Sequence, residues 1–349
     1  MVNRKSLKGS QLHLVLVGAL LLAFMLNLLL GSVSIPLRAV CDILVAGDTS
    51  NAVWHNIIFK SRLPQALTAT VAGAALSVSG LQMQTVFRNP LADPSVLGVS
   101  AGASLGVAFA ILLSGTIGDI ALSRLGYMGE AALSLAAIAG SMAVLALISF
   151  ISSRVRGNVT LLIIGVMIGY VANAIIGVLK FFSIEEDIRA YVIWGLGSFS
   201  RVSGDKVTLF VTAMCILLPL SFLLIKTMNI LLLGESYARS LGLNTKRARL
   251  LTILDAGLLA AAVTAYCGPI MFLGLAVPHL ARTVFRTSDH RILLPATMII
   301  GSTLALACNV IARMPGFEGA LPVNSVTALI GAPIVASVLF RKRKEEINE

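Results

Sequence analysis

Three sets of side chains in this sequence are of types that could do chemistry. Gly98-Val99-Ser100-Ala101-Gly102 matches GxSxG, the pattern that exposes a nucleophilic serine at a tight turn, and His279 could act as its base. The same string has a plainer reading. Gly98, Gly102 and Gly106 are spaced by four, which puts small residues on one helix face and lets a second helix approach closely. Asp255 is the lone acid inside an apolar run. Such an acid either couples a proton or ion to movement, as in a proton-coupled secondary transporter, or snorkels toward a polar boundary; Arg249 lies on the order of 9 Å away along a helix. Gly165, Gly169, Asn173 and Gly177 repeat the spacing of four. They place an amide on a glycine-lined face that suits close packing or, equally, a smooth wall past which a bulky solute moves.

Other chemistries lack their patterns. There is no HExxH, no CxxCH and no pair of catalytic carboxylates. No lysine follows a glycine, so the GxxxxGK[ST] phosphate cradle is missing and any driving ATP must bind another chain. Cys41, Cys215, Cys267 and Cys308 are far apart without a CxxC, which points to apolar filler rather than a zinc or redox site. No catalytic residue, metal site or cofactor is therefore expected in this chain.

The elements that carry these residues follow from composition. The 349 residues are 57% hydrophobic and 12% charged, with mean hydropathy +0.92, and apolar runs recur from end to end. The expected fold class is all-α, a polytopic membrane protein forming one integral domain over residues 1–349. About ten spans are expected, near 12–33, 62–84, 95–114, 131–152, 158–180, 207–226, 249–266, 271–286, 292–312 and 321–340. The first follows Arg4, Lys5 and Lys8, is longer than a signal h-region and lacks a convincing small-x-small cleavage site, so it reads as a membrane helix.

An even count puts both termini on one side. With that side cytoplasmic, most of the 27 lysines and arginines fall inside, among them Arg154, Arg156, Lys226, Arg239, Lys246, Arg247, Arg249 and Arg341 to Lys344. The net charge of +11 is thus an orientation signal and not a nucleic-acid footprint. Outer segments 34–61 and 183–206 mix tryptophan with charge and are expected to form short interfacial helices.

"RNPLADPSVLGVSAG" (88–102) follows span 2, and "CGPIMFLGLAVPHLAR" (267–282) follows span 7; spans 2–5 and 7–10 are expected to be inverted repeats. In the second string Gly268 and Pro269 turn the chain outside and a short helix returns inward, leaving Arg282, Arg286, His290 and Arg291 at the inner boundary. His279 reads as a packed histidine hydrogen-bonded across helices, or else as a ligand or proton relay. The inner loop 231–247 places Leu233, Tyr237, Ala238 and Leu241 at helical spacing between Gly234 and Gly242, a short amphipathic helix that suits a partner's groove or the lipid surface.

At these residues the sequence resembles the FecCD permease family, the membrane subunits of type II ABC importers for ferric siderophores, heme and vitamin B12. The resemblance runs from about Arg62 to Leu339 and rests jointly on "RNPLADPSVLGVSAGA", "GPIMFLGLAVPHLAR", "DHRILLP" and "LPVNSVTALIGAP". It implies ten spans in the bacterial cytoplasmic (inner) membrane and a second permease subunit, identical or not. It also implies two cytoplasmic ATPase subunits that hold ATP-Mg, and an external solute-binding protein. By position, Gly234, Glu235, Tyr237, Ala238, Arg239, Leu241 and Gly242 match the loop that couples to the ATPase. Asn89, Pro90 and Leu91 match the turn that closes the inner mouth. Span 5, with Asn158, Gly165, Gly169 and Asn173, matches the passage-lining helix. Arg62 and Arg313 match cations that dock the binding protein, although Gln65 stands where the family often has a further arginine.

Overall fold

The structure is a computed structural model and describes residues 3–31, 33–46, 51–113, 127–155, 158–314 and 321–348. The described residues are helical with no strand. α1 (Asn3–Leu29) is followed on the way to the core by two short helices, α2 (Leu37–Cys41) and α3 (Ala52–Ile57). Asn51 caps α3, its side-chain oxygen accepting from Trp54 N at 3.1 Å. A wide turn, Ile58–Arg62, runs directly into α4 (Leu63–Phe87), where Pro64 sits in the first turn and has no amide hydrogen to lose. α4 ends at Arg88, which takes a left-handed conformation (φ 50°).

The two prolines of "NPLADP" cannot continue a helix. They leave an inner turn and a short 3-10 segment, Pro94–Leu97, capped by Asp93, before Gly98 (φ 76°) opens α5 (Val99–Leu112). Then come α6 (Tyr127–Arg154), α7 (Asn158–Phe182) and α8 (Glu185–Gly195), followed by α9 (Asp205–Leu223). On the expected cytoplasmic side lie α10 (Ile225–Leu232) and α11 (Glu235–Ser240). α12 (Thr245–Cys267), α13 (Leu273–Phe285), α14 (His290–Ala312) and α15 (Val323–Asn348) complete the bundle.

Seven of the segments are long and apolar enough to cross a membrane, and three shorter apolar helices, α5, α13 and the Val323–Ser337 part of α15, fall at the remaining expected spans. Each expected span therefore coincides with a helix. One expectation changes: α8 is not simply interfacial, because Tyr191 and Trp194 are buried against α5 rather than resting in lipid headgroups.

α4 is the axis of the bundle, with every residue from Ala72 to Phe87 buried. Lipid tails are as apolar as leucine, so helices here associate by close packing rather than by escaping water. Small residues make that packing possible. A Cβ on Gly80 would lie 1.8 Å from Gly274 O, and one on Gly73 would lie 2.4 Å from Gly301 O, so α4 meets α13 and α14 backbone to backbone. The glycine face of α5 does the same: a Cβ on Gly106 would lie 2.1 Å from Ala136 O, and one on Gly140 2.1 Å from Gly102 O.

The inverted repeats are visible in lengths and in packing. α4 to α7 have 25, 14, 28 and 25 residues, and α12 to α15 have 23, 13, 23 and 26. Contacts exchange as a two-fold relation requires: α4 lies on α13 and α14, and α12 lies on α5 and α6. Gly80 meets Gly274, and further along Gln84 accepts from Arg282, so α4 and α13 run the same way. The turn at Gly268 reverses α12 with respect to α13, and hence with respect to α4.

Candidate functional site

The loop expected on the cytoplasmic side is a braced projection. Gly234 (φ 105°) and Gly242 (φ 81°) take backbone conformations that side chains with a Cβ disfavour, and α11 is held between them. Its C-terminus closes by a Schellman motif, with Gly242 N donating to Arg239 O at 2.9 Å and Leu243 N to Ala238 O at 3.0 Å. Glu235 accepts from Arg239 Nη2 at 2.6 Å and from Thr245 Oγ1 at 3.4 Å, and its second oxygen pairs with Arg249 Nη2 at 3.4 Å. Those bonds tie α11 to the first turns of α12. Burial opposes ionisation of Glu235, but the Arg239 hydrogen bond and the Arg249 and Arg239 charges outweigh it and hold the carboxyl below its ordinary value.

The exposed face consists of Leu233 (58%), Tyr237 (57%) and Leu241 (55%). Ala238 does not belong to it as expected; it is fully buried on the inward side, where a larger residue would lift the helix. A cleft beside this face is lined by Glu235, Arg239, Asn244, Lys246 and Arg249.

The inner turn lies next to the loop. Arg88, just before Asn89, reaches within 3.5 Å of where a Cβ on Gly234 would sit, and Arg88, Leu231 and Glu235 line one small cleft. Asn89 Oδ1 accepts from Leu91 N at 2.9 Å, the Pro90 carbonyl lies 2.8 Å from His279 Nε2, and Leu91 is exposed. His279 is thus a packed histidine, bonded to the turn after α4 rather than across to another helix. Ser100 Oγ lies 3.5 Å from Thr264 Oγ1 on α12, while His279 Nε2 meets the Pro90 carbonyl.

α7, opened by Asn158, changes character along its length. Gly165 is buried, and a Cβ there would lie 2.6 Å from Val96 O, so the lower part of the helix packs directly on the 3-10 segment that follows the inner turn. Gly169 is half-buried beside Ala101. Asn173 is exposed, and a Cβ on Gly177 would meet nothing within 4 Å. The glycine face is therefore packing at one end and open at the other.

Arg62 and Arg313 come together, but they face inward. Arg62 is 2% exposed and donates to Leu28 O (2.7 Å), Leu29 O (2.8 Å) and Val33 O. Arg313 donates to Asn27 O at 3.0 Å and to Gln65 Oε1 at 2.7 Å. The pair caps the carbonyls that α1 leaves unpaired at its C-terminus, where the helix dipole favours cations. Burial first and the Arg62 charge second pull Arg313 down to about 10, so it stays charged at neutral pH. Gln65, in the place of a further arginine, supplies an acceptor where a third cation would be repelled.

Sequence reading missed the polar side chains inside α4. Gln84 donates to Leu275 O at 3.2 Å and accepts from Arg282 at 2.5 Å. Thr85 Oγ1 lies 2.8 Å from His290 Nε2, whose Nδ1 lies 2.7 Å from Asn229 Oδ1 on α10. The signal available was Gln82 and Gln84 deep within an apolar span, which lipid would penalise unless they faced protein.

Comparison with known proteins agrees with this architecture. The sequence profile of the FecCD transport family matches residues 19–341. The hemin transport system permease protein HmuU of Yersinia pestis is 35% identical over 339 residues, covering 93% of this chain and 97% of that protein. The vitamin B12 import system permease protein BtuC of Klebsiella pneumoniae is 34% identical over 297 residues, covering 85% and 86%. A solved structure described as an inward-facing conformation of a metal-chelate type ABC transporter superposes with TM-score 0.79 at 28% identity, covering 95% of this chain and 99% of that one. With a match that runs through all ten apolar helices, this multi-pass membrane protein belongs to the FecCD transport family.

Proposed function

We propose that the chain is the permease subunit of an ATP-driven importer that moves a ferric siderophore, heme or cobalamin into the cytoplasm by alternating access. The observation that carries this is the near full-length likeness to permeases named for hemin and vitamin B12. Two such subunits enclose the passage, and two cytoplasmic ATPase subunits bind ATP-Mg and receive Leu233, Tyr237 and Leu241. An external binding protein delivers the solute near the Arg62 and Arg313 end. Both termini lie in the cytoplasm, and the chain itself performs no catalysis. Closure of the ATPases moves α11, and the Arg88 contact passes that movement to the Asn89 turn and through Gly98 and Gly165 to α7.

The test is uptake into vesicles that hold the chain with its cognate ATPase and binding protein, against a panel of ferric siderophores, heme and cobalamin. ATP-dependent accumulation of one class is expected. Uptake that proceeds without nucleotide and collapses with an uncoupler would instead select a proton-coupled transporter.

A further inference from the structure

The crossing of the two repeat sets contains a buried acid whose hydrogen bonding is incomplete. Asp255 on α12 is 6% exposed, and Gln82 on α4 is fully buried. Gln82 Nε2 donates to Asp255 Oδ2 at 2.5 Å and to Ser221 Oγ at 3.1 Å, and Ser221 Oγ donates to the same Asp255 oxygen at 2.6 Å. The hydroxyl hydrogen is thereby used, and the amide nitrogen serves both oxygens from one side. Two buried acceptors are left over, Asp255 Oδ1 and Gln82 Oε1, and neither has a partner among the described residues. Turning the amide over does not repair this, because it sets one acceptor against another and removes the donor to Ser221. No cation compensates either: the ion pairs among the described residues involve Glu130 and Glu235 and none involves Asp255. An enclosed carboxylate with one bare oxygen and no counter-charge is strongly disfavoured in a membrane interior.

We infer that this site holds one proton: Asp255 is a carboxylic acid whose Oδ1–H donates to Gln82 Oε1 while Gln82 Nε2–H donates to Oδ2, closing a two-point acid–amide pair. A single proton shared in this way gives each of the two orphaned acceptors a partner. The pair sits where α4 and α12, the opposed first helices of the two sets, meet, and Ser221 joins it from α9, which connects the sets. Ser79 Oγ, donating to Ala256 O at 2.6 Å, fastens the same crossing. Asp255 is therefore an uncharged clamp between the halves, and its proton stays in place during transport.

Infrared difference spectroscopy on the full chain in lipid, wild type minus Asp255→Asn, tests the proton directly. A protonated-carboxyl C=O stretch that shifts on deuterium exchange is expected at neutral pH, unchanged when Na⁺ replaces K⁺. Carboxylate bands in its place would overturn the inference, whether water or a cation bridges the two oxygens. Function gives a second readout. Asparagine keeps both hydrogen bonds of the pair, so the melting temperature should be unshifted and vesicle uptake should remain within about twofold of wild type, whereas Asp255→Ala strands Gln82 and should lower the yield of folded protein. A folded Asp255→Asn chain that loses uptake roughly tenfold or more would mark a working proton or ion site and sink the clamp.

Discussion

Around α11, Leu233, Tyr237 and Leu241 stand out from the body with more than half of each residue in solvent. At the C-terminal end of α1, Arg62 is almost completely enclosed and spends its guanidinium on three backbone carbonyls. Both regions resemble partner-contact motifs in sequence, yet the bundle uses them differently. An exposed apolar row satisfies nothing inside the chain, so its persistence points outward. A cation beside an uncapped helix end has internal work to do, and that work comes first. Charge type alone therefore does not identify a docking residue in a membrane protein; the decisive question is whether the bundle has already consumed it.

The largest effect should come from breaking the consumed site. Arg62→Ala leaves the Leu28, Leu29 and Val33 carbonyls without a donor and is expected to cost about 3 kcal/mol, read as a lower melting temperature of the purified chain without any partner. Arg62→Lys should rescue little, since an ammonium cannot reproduce the guanidinium fork. Stability unchanged in Arg62→Ala would return Arg62 to a purely external role. The displayed site should behave in the opposite way. Tyr237→Asp or Leu241→Asp should leave melting within about 0.5 kcal/mol of wild type, because neither side chain is packed, while co-purification with the ATPase subunit falls sharply. Unchanged subunit stoichiometry would show that the exposed row has some other occupant.

Legibility in the sequence divides along the same line. The helices could be read because lipid demands about 20 apolar residues per span and the breaks carry proline, glycine and charge, as at Asn89–Pro94 and Gly268–Pro269. The Gly102 and Gly106 packing face was readable from its spacing, and the inverted sets from two short strings; Gly98, expected on that same face, is instead the left-handed residue that opens α5 and meets Gly165 of α7. Side-chain direction was not. Ala238 looks like a member of the amphipathic row but turns inward, and Trp194 looks interfacial but is buried, since a helix's rotation depends on its neighbours. Gly165 and Asn173 share a face by spacing but differ in exposure, because the 3-10 segment covers only one end of α7. The polar links through Gln82, Gln84 and His290 join positions far apart in the chain, which no local pattern encodes.

The finest distinction between the two regions concerns how the displayed helix is held. Glu235 has a folded-state value below its ordinary 4.5, so its bonds to Arg239, Arg249 and Thr245 stabilise α11 fully above the unfolded value and lose that contribution as pH falls through the folded one. Glu235 is partly exposed and screened, which limits the contribution to a few tenths of a kcal/mol. Amide exchange at Ala238, Gly242 and Leu243 should accordingly be somewhat faster in Glu235→Gln than in wild type at neutral pH. The two should converge in acid, below the ordinary carboxylate range, once the wild-type carboxyl is protonated as well. A difference that persists at low pH would mean that shape and not charge holds the helix, leaving the Schellman turn at Gly242 as its main support.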